Sequence, residues 1–195
     1  MATPKDTYGR DDVLIAALGV DPERFKKLFE QDPETNLINT DSNNDTALHL
    51  AAMKGNTPTI NYLLKKGANV IAKDKFGAIP LHLAAVTGYT SAVDALTATD
   101  KNRKTIDTQD INGNTPLMLA AKKGYGNTVR KLLEKGADTS LVNKQGETVA
   151  KLANPECAQI IAEHEARKKF GVKDAVSPKS PDATPVHGGS AKQER

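Results

Sequence analysis

Two histidines at equivalent places in a repeated motif are the first candidates for chemistry in this chain. His49 follows Thr46-Ala47-Leu48, and His82 follows Ile79-Pro80-Leu81. A shared zinc ion needs ligand atoms about 2.0–2.1 Å from the metal, whereas packed helices lie about 8–10 Å apart. We therefore interpret both histidines as structural residues that hydrogen-bond within and between turns, and we expect no metal site.

The other candidate active-site residues are weaker. Cys157 and His164 are seven residues apart and can share one face of a helix, but nothing around them would activate a thiolate. Residues 124–129 begin like the glycine fingerprint of dinucleotide sites, yet the third glycine is absent and a helix, not a strand, precedes them. The sequence also has no Walker loop, nucleophile elbow or paired carboxylates. We therefore predict a protein that is not an enzyme and has no cofactor or small-molecule substrate.

The composition indicates a water-soluble protein. The chain has 195 residues, 26% of them charged, with a formal net charge of +3, few aromatic residues and no tryptophan. No apolar run approaches the 18 or so residues of a membrane span, so we expect no membrane insertion. Residues 1–10 lack the apolar core of a signal peptide. The single cysteine excludes an internal disulfide and fits a reducing compartment. We expect a cytoplasmic monomer, with the nucleus or a host cytosol as alternatives.

The histidines belong to a motif that returns along the chain. Its clearest copy is Asn114-Thr115-Pro116-Leu117-Met118-Leu119-Ala120-Ala121, and copies start at Thr46, Ile79, Thr115 and Thr148, spaced by 33, 36 and 33 residues. Threonine fits a helix N-cap, proline fits the first helical turn, and a glycine fits the left-handed end of the helix. A second helix with apolar residues at helical spacing follows each copy.

This period and the Thr-Pro-Leu-His-x-Ala type of motif resemble the ankyrin repeat, over about residues 41–168. The resemblance implies an all-α solenoid of helix–turn–helix units joined by β-hairpin-like turns. It also implies a protein-binding module.

We divide the chain into five units, called units 1 to 5 below: residues 11–40, 41–73, 74–109, 110–142 and 143–168. Units 1 and 5 depart from the motif and are predicted caps, which the ends of a solenoid need for solubility. In unit 1 we predict helices over residues 11–18 and from Pro22, the second ended by residues 32–36. The ankyrin domain is predicted to span residues 11–169. Residues 1–10 are predicted to be flexible, and the Pro- and Ser-rich residues 170–195 to form a disordered tail.

Unit 3 departs from the other interior units. Ile79 stands where threonine would cap the first helix, and residues 99–105 replace a Gly-Ala turn with a longer loop. Loss of a cap costs about 0.5–2 kcal/mol, so we predict that unit 3 is the weakest interior unit.

The resemblance further implies that the hairpin tips and the ends of the first helices form a concave recognition face. On this face we predict a partner-binding site with apolar residues at its centre and lysines at its rim: Met53, Lys54, Lys75, Phe76, Ile111, Asn112, Lys122, Lys123 and Lys144. Such a pattern is typical of interfaces, and it predicts a protein partner with an acidic, partly apolar surface. The alternative is an ordinary solvated face, since single exposed apolar residues are common.

Two functional settings remain open from the sequence. The chain is either an adaptor or regulator in its own cell, or a secreted bacterial or parasite effector that uses the same scaffold on a host protein. Ser177-Pro178 and Ser180-Pro181 suit proline-directed phosphorylation and favour the first setting, whereas a short polar tail could be an export signal. A non-catalytic subunit of an enzyme is a further alternative. Nucleic-acid binding is disfavoured because the lysines are interspersed with acids and no aromatic platform accompanies them.

Overall fold

A computed structural model describes residues 11–19, 21–98 and 105–170 of the chain. Eleven helices are present in these residues: α1 (Asp12–Leu18), α2 (Pro22–Phe29), α3 (Pro33–Ile38), α4 (Ala47–Met53), α5 (Thr57–Lys65), α6 (Pro80–Thr87), α7 (Thr90–Ala98), α8 (Pro116–Lys123), α9 (Gly126–Glu134), α10 (Val149–Leu152) and α11 (Pro155–Phe170). The only β-pairing in the described residues is two isolated bridges, Thr40 with Thr46 and Val142 with Thr148. The fold is therefore all-α, as predicted.

The helices form two stacked rows. The inner row is α1, α4, α6, α8 and α10, each packed on the next, and the outer row is α2, α5, α7, α9 and α11. Each inner helix also packs against the outer helix that follows it, as α4 does with α5 and α6 with α7. This arrangement is the predicted solenoid of helix pairs.

Small residues allow the inner helices to approach closely. The paired alanines of each interior motif are fully or almost fully buried: Ala51 and Ala52, Ala84 and Ala85, and Ala120 and Ala121. Leucines at 0–1% exposure fill the space beside them, including Leu48, Leu81 and Leu117. The core is thus one continuous apolar layer along the stack.

Two of the three predicted N-cap threonines form the expected side-chain hydrogen bond. The Thr46 hydroxyl accepts the His49 N–H at 3.4 Å, and the Thr115 hydroxyl accepts the Met118 N–H at 3.3 Å. Thr148 is the N-cap residue of α10, as predicted, but its side chain makes no capping hydrogen bond. Helix α10 has only four residues, Val149–Leu152. The drift from the motif in unit 5 therefore shortens the inner helix as well as changing its surface.

In unit 1 the prediction for residues 32–36 is wrong in detail. Helix α2 ends at Phe29, and these residues belong largely to a separate helix, α3, that begins at Pro33. Proline is favoured at the first helical position, which explains why it starts a new helix after the break at residues 30–32. The Asn36 amide donates to the Phe29 carbonyl at 3.1 Å and ties α3 back to the end of α2.

Three predictions fall on residues that lie outside the described ranges. They are the flexible residues 1–10, most of the long loop at residues 99–105, and the disordered tail apart from Phe170. All three remain predictions from the sequence.

Candidate protein-binding surface

The hairpin tips of consecutive units are joined by backbone hydrogen bonds. The Lys75 N–H donates to the Asn43 carbonyl at 2.8 Å, the Ile111 N–H to the Phe76 carbonyl at 3.0 Å, and the Lys144 N–H to the Asn112 carbonyl at 2.9 Å. Each tip therefore fixes the position of the next. The four tips form one continuous row along the stack.

Each tip has the same internal construction. The Asp74 carboxylate accepts the backbone N–H groups of Phe76 and Ala78, both at 2.8 Å. Asp41, Asp110 and Asn143 do the same in their own units. This side-chain-to-backbone bonding two residues ahead is the usual way in which Asp and Asn stabilise turns. It explains why residues with different side chains at the tips share one backbone shape.

Five of the nine predicted site residues lie on this row. Phe76 is 52% exposed and Ile111 is 49% exposed, and their backbones are hydrogen-bonded to each other. Lys75, Asn112 and Lys144 are exposed beside them. The Lys75 ammonium lies 5.0 Å from the centre of the Phe76 ring, within the range of a cation–π contact. The apolar pair is thus flanked by lysines on both sides.

The other four predicted residues lie at the ends of inner helices α4 and α8. Lys54, Lys122 and Lys123 are exposed, whereas Met53 is half-buried against the core. Helix α6 lies between α4 and α8. The end of α6 carries the uncharged Val86 and Thr87, which occupy the motif positions of Met53 and Lys54. The lysines at the ends of α4 and α8 are therefore separated by an uncharged helix end.

Sequence analysis missed Leu83 and Leu119 as possible contact residues. Both are half-buried on inner helices, although the equivalent Leu50 is completely enclosed. Leu119 is three residues before Lys122 and therefore shares its helix face. The signal was present in the motif, since this leucine stands directly before the paired alanines. A leucine there is easily assigned to the core.

At the C-terminal end of the hairpin row, the predicted lysines lie near one acidic residue, Glu147. The pKa of Glu147 is lowered by a hydrogen bond from the Asn143 amide, by the bond from Lys151, and by the charge of Lys122. The Lys151 ammonium lies 3.2 Å from the Glu147 carboxylate. Lys54, Lys75 and Lys144 form no ion pair within the described residues, which leaves their charges available to a partner.

The two motif histidines are structural, as their bonding shows. His49 Nε2 donates to the Ala78 carbonyl of the next unit at 3.2 Å, and His82 Nε2 donates to the Asn114 carbonyl at 3.1 Å. Because a carbonyl can only accept, Nε2 carries the proton, and Nδ1 accepts the N–H of Thr46 or Ile79 at 3.2 Å. Burial lowers the pKa of both imidazoles. Each neutral ring therefore links a helix start to the following hairpin.

Cys157 is equally enclosed. Its thiol is fully buried and its pKa is raised, first by burial and then by the nearby charge of Glu156. A raised pKa keeps the thiol protonated and unreactive. Across the described residues there is no cluster of His, Cys, Asp or Glu with the geometry of a metal site.

Models of the ankyrin-repeat family match most of the chain. One, described as ankyrin repeats in three copies, matches residues 13–105, and another, described as ankyrin repeats in many copies, matches residues 101–153. The chain is an ankyrin-repeat protein. Ankyrin repeats form protein-interaction modules, so the coarse function predicted from the sequence agrees with the family.

Several curated proteins contain similar ankyrin segments. A probable 26S proteasome regulatory subunit, p28, of Saccharomyces cerevisiae is 35% identical over 149 residues, which cover 76% of this chain and 60% of p28. A human transient receptor potential channel, subfamily A member 1, is 38% identical over 138 residues, covering 68% of this chain and 12% of the channel. An ankyrin repeat and SOCS box protein 3 of Bos taurus is 39% identical over 89 residues. The chain thus spans 60% or less of the length of these relatives. In its described residues no helix has the length and apolar character of a membrane span.

Proposed function

We propose that this ankyrin-repeat protein is a non-enzymatic adaptor or regulator that binds a protein partner across its row of hairpin tips and inner-helix ends. The contact residues in this proposal are Met53, Lys54, Lys75, Phe76, Ile111, Asn112, Lys122, Lys123 and Lys144. The observation that carries the proposal is the hydrogen-bonded row of tips, which holds the exposed Phe76 and Ile111 side by side.

The chemistry of the surface defines the partner. Aromatic residues at the centre of an interface tend to dominate binding energy, and Phe76 occupies that position here. The surrounding lysines favour a partner that presents carboxylates around an apolar patch. We therefore propose a folded protein with an acidic, partly apolar surface, bound in the cytoplasm. Because the relative p28 is named as a probable proteasome regulatory subunit, subunits of large protein assemblies are the first partners to test.

The experiment begins with affinity purification on the full chain, followed by binding kinetics with the purified partner. Phe76→Ala is expected to weaken binding by about 2 kcal/mol or more, because an anchor of an interface is removed. Lys122→Glu together with Lys123→Glu should slow association and reduce its dependence on salt, because these lysines steer a charged partner.

Matched controls are available on the last helix. Phe170 is 74% exposed, and Lys168 and Lys169 are an adjacent exposed pair, all on α11 and away from the hairpin row. Phe170→Ala, and Lys168→Glu with Lys169→Glu, should leave the affinity unchanged. Should the partner bind the Phe76→Ala, Lys122→Glu, Lys123→Glu variant as tightly as the unaltered chain, this assignment of the surface is wrong.

A further inference from the structure

A groove separates unit 1 from unit 2 and is lined at one edge by Asn44 and Thr46 of the first hairpin. Its volume is about 320 Å³, and it is bordered by helix α3 and by the loop over residues 68–73. The wall is mainly apolar, with Leu37, Ile38, Leu63, Ala68 and Ala72. Its volume falls within the roughly 300–1,000 Å³ typical of ligand sites.

The groove lies at the position where, in units 3 and 4, the two loops bind each other directly. Between units 3 and 4, the Asp107 carboxylate accepts the Asp138 N–H at 2.9 Å, and the Gln109 amide donates to the Val142 carbonyl at 2.9 Å. Asp107 and Gln109 stand three residues and one residue before the hairpin aspartate Asp110. In unit 1 the residues at the same positions before Asp41 are Ile38 and Thr40. Isoleucine cannot accept such a bond. No hydrogen bond between described residues joins residues 36–40 to residues 68–73.

The stack leaves one isoleucine uncovered on each of the two loops beside the groove, and one of them, Ile38, lines it. Ile38 is 77% exposed, and Ile71, on the opposite loop, is 44% exposed. Lys73 supplies the only charge among the lining residues and makes no ion pair within the described part of the chain. A ligand for this groove therefore needs apolar groups between the two walls and a negative charge opposite Lys73.

We propose that this groove binds a short extended peptide from a partner protein, with an apolar side chain between Ile38 and Ala72 and an acidic residue next to Lys73. The peptide would bridge two loops whose counterparts in units 3 and 4 hydrogen-bond directly to each other. An extended chain advances about 3.3 Å per residue, so a segment of about six residues runs the length of the loop. The lining of the groove contains none of the nine contact residues proposed for the hairpin-row surface.

The probe is a phage-displayed library of random dodecapeptides, selected on the full chain, with synthetic copies of the enriched peptides measured by fluorescence anisotropy. Enriched sequences are expected to pair an apolar residue with Asp or Glu. Ile38→Glu should weaken their binding by about tenfold or more, equivalent to about 1.4 kcal/mol. Lys73→Glu should also weaken binding of these peptides by about tenfold or more, because it reverses the charge next to their acidic residue.

Two matched variants distinguish this site from others. Ile111→Glu places the same change on the exposed isoleucine of the hairpin row, and Lys169→Glu reverses a lysine on α11. Neither should change binding of the selected peptides. Circular dichroism melts of all four variants show whether any loss reflects unfolding.

Three results would overturn the inference. One is that no peptide is enriched. Another is that Ile111→Glu weakens the peptides while Ile38→Glu does not, which would place them on the hairpin row and leave the groove empty. The third is that synthetic copies of residues 1–10 or 171–195 displace the selected peptides from the groove, since the natural occupant would then be a segment of the chain itself.

Discussion

The N-terminal half of the stack, units 1 to 3, and the C-terminal half, units 4 and 5, connect neighbouring repeats with different chemistry. In the N-terminal half, buried His49 and His82 each reach the hairpin of the next unit. In unit 4 the equivalent residue is Met118, which is buried and has no comparable hydrogen-bonding group, and in unit 5 it is the exposed Lys151. The backbone repeat is therefore maintained without the histidine bond.

Aromatic packing is likewise concentrated in the N-terminal half. The rings of Phe25 and Phe29 are 5.6 Å apart, and Tyr62 of unit 2 stands edge-on to both. The Tyr62 hydroxyl donates to Glu30 at 3.0 Å, and burial together with this carboxylate raises the pKa of Tyr62 to about 12. These contacts bind the outer helices of units 1 and 2.

Loop and surface contacts join the two halves. The loop bonds from Asp107 and Gln109 join units 3 and 4. The Lys135 ammonium also lies 2.7 Å from the Asp94 carboxylate of the preceding unit. Such exposed pairs contribute little individually, typically about 0–1 kcal/mol. The comparison shows that the backbone repeat depends on the shared apolar layer, whereas the polar links between units can vary.

The largest effect is expected from Phe29. It is completely buried between units 1 and 2, so Phe29→Ala should reduce the free energy of unfolding by about 3–5 kcal/mol. Phe170, at the far end and 74% exposed, is the matched control, and Phe170→Ala should change stability by less than about 0.5 kcal/mol. Urea denaturation of both variants measures the difference. Similar losses from the two substitutions would mean that the aromatic cluster does not hold the N-terminal end.

A smaller effect should separate the two threonines of the C-terminal half. Thr115 caps α8 through its hydroxyl, whereas Thr148 makes no such bond at α10. Thr115→Ala should therefore cost about 0.5–2 kcal/mol, and Thr148→Ala clearly less. Denaturation curves of the two variants, recorded under the same conditions, test this. A larger loss at Thr148 would contradict the cap assignment.

The sequence was sufficient to predict the structural features that recur from copy to copy of the motif. The period located the helices of units 2 to 4, and the motif identified His49 and His82 as structural residues. Unit 1 was harder, because helix α3 is not part of the motif. Its start at Pro33 depends on local proline chemistry that is also compatible with a turn.

The prediction that unit 3 is weakest counted what this unit loses in stability but not what the burial of Ile79 contributes. Ile79 provides no capping oxygen, but it is completely buried, and burial of such a side chain contributes about 1.5–3 kcal/mol. That contribution is of the same order as the loss of the cap. The motif shows that threonine is absent, but only the packing shows what isoleucine gains. The binding site is a similar case, since the sequence named exposed residues but not the backbone bonds that align the tips.

The last prediction concerns pH and the histidines that distinguish the N-terminal half. Burial lowers the pKa of His49 and His82 from the usual 6.5, so the folded chain keeps them neutral while the unfolded chain takes up protons below pH 6.5. The unfolded state then binds more protons, and stability rises with pH in this range. The contribution is fully present above pH 6.5 and is lost as the pH falls from 6.5 toward the folded pKa values. Replacing both residues by the methionine found in unit 4, as His49→Met with His82→Met, should flatten this dependence even if stability at neutral pH changes. Urea denaturation above and below pH 6.5 measures the two slopes. An unchanged slope in the double variant would show that other groups cause the acid sensitivity, and that the histidine bonds matter only for geometry.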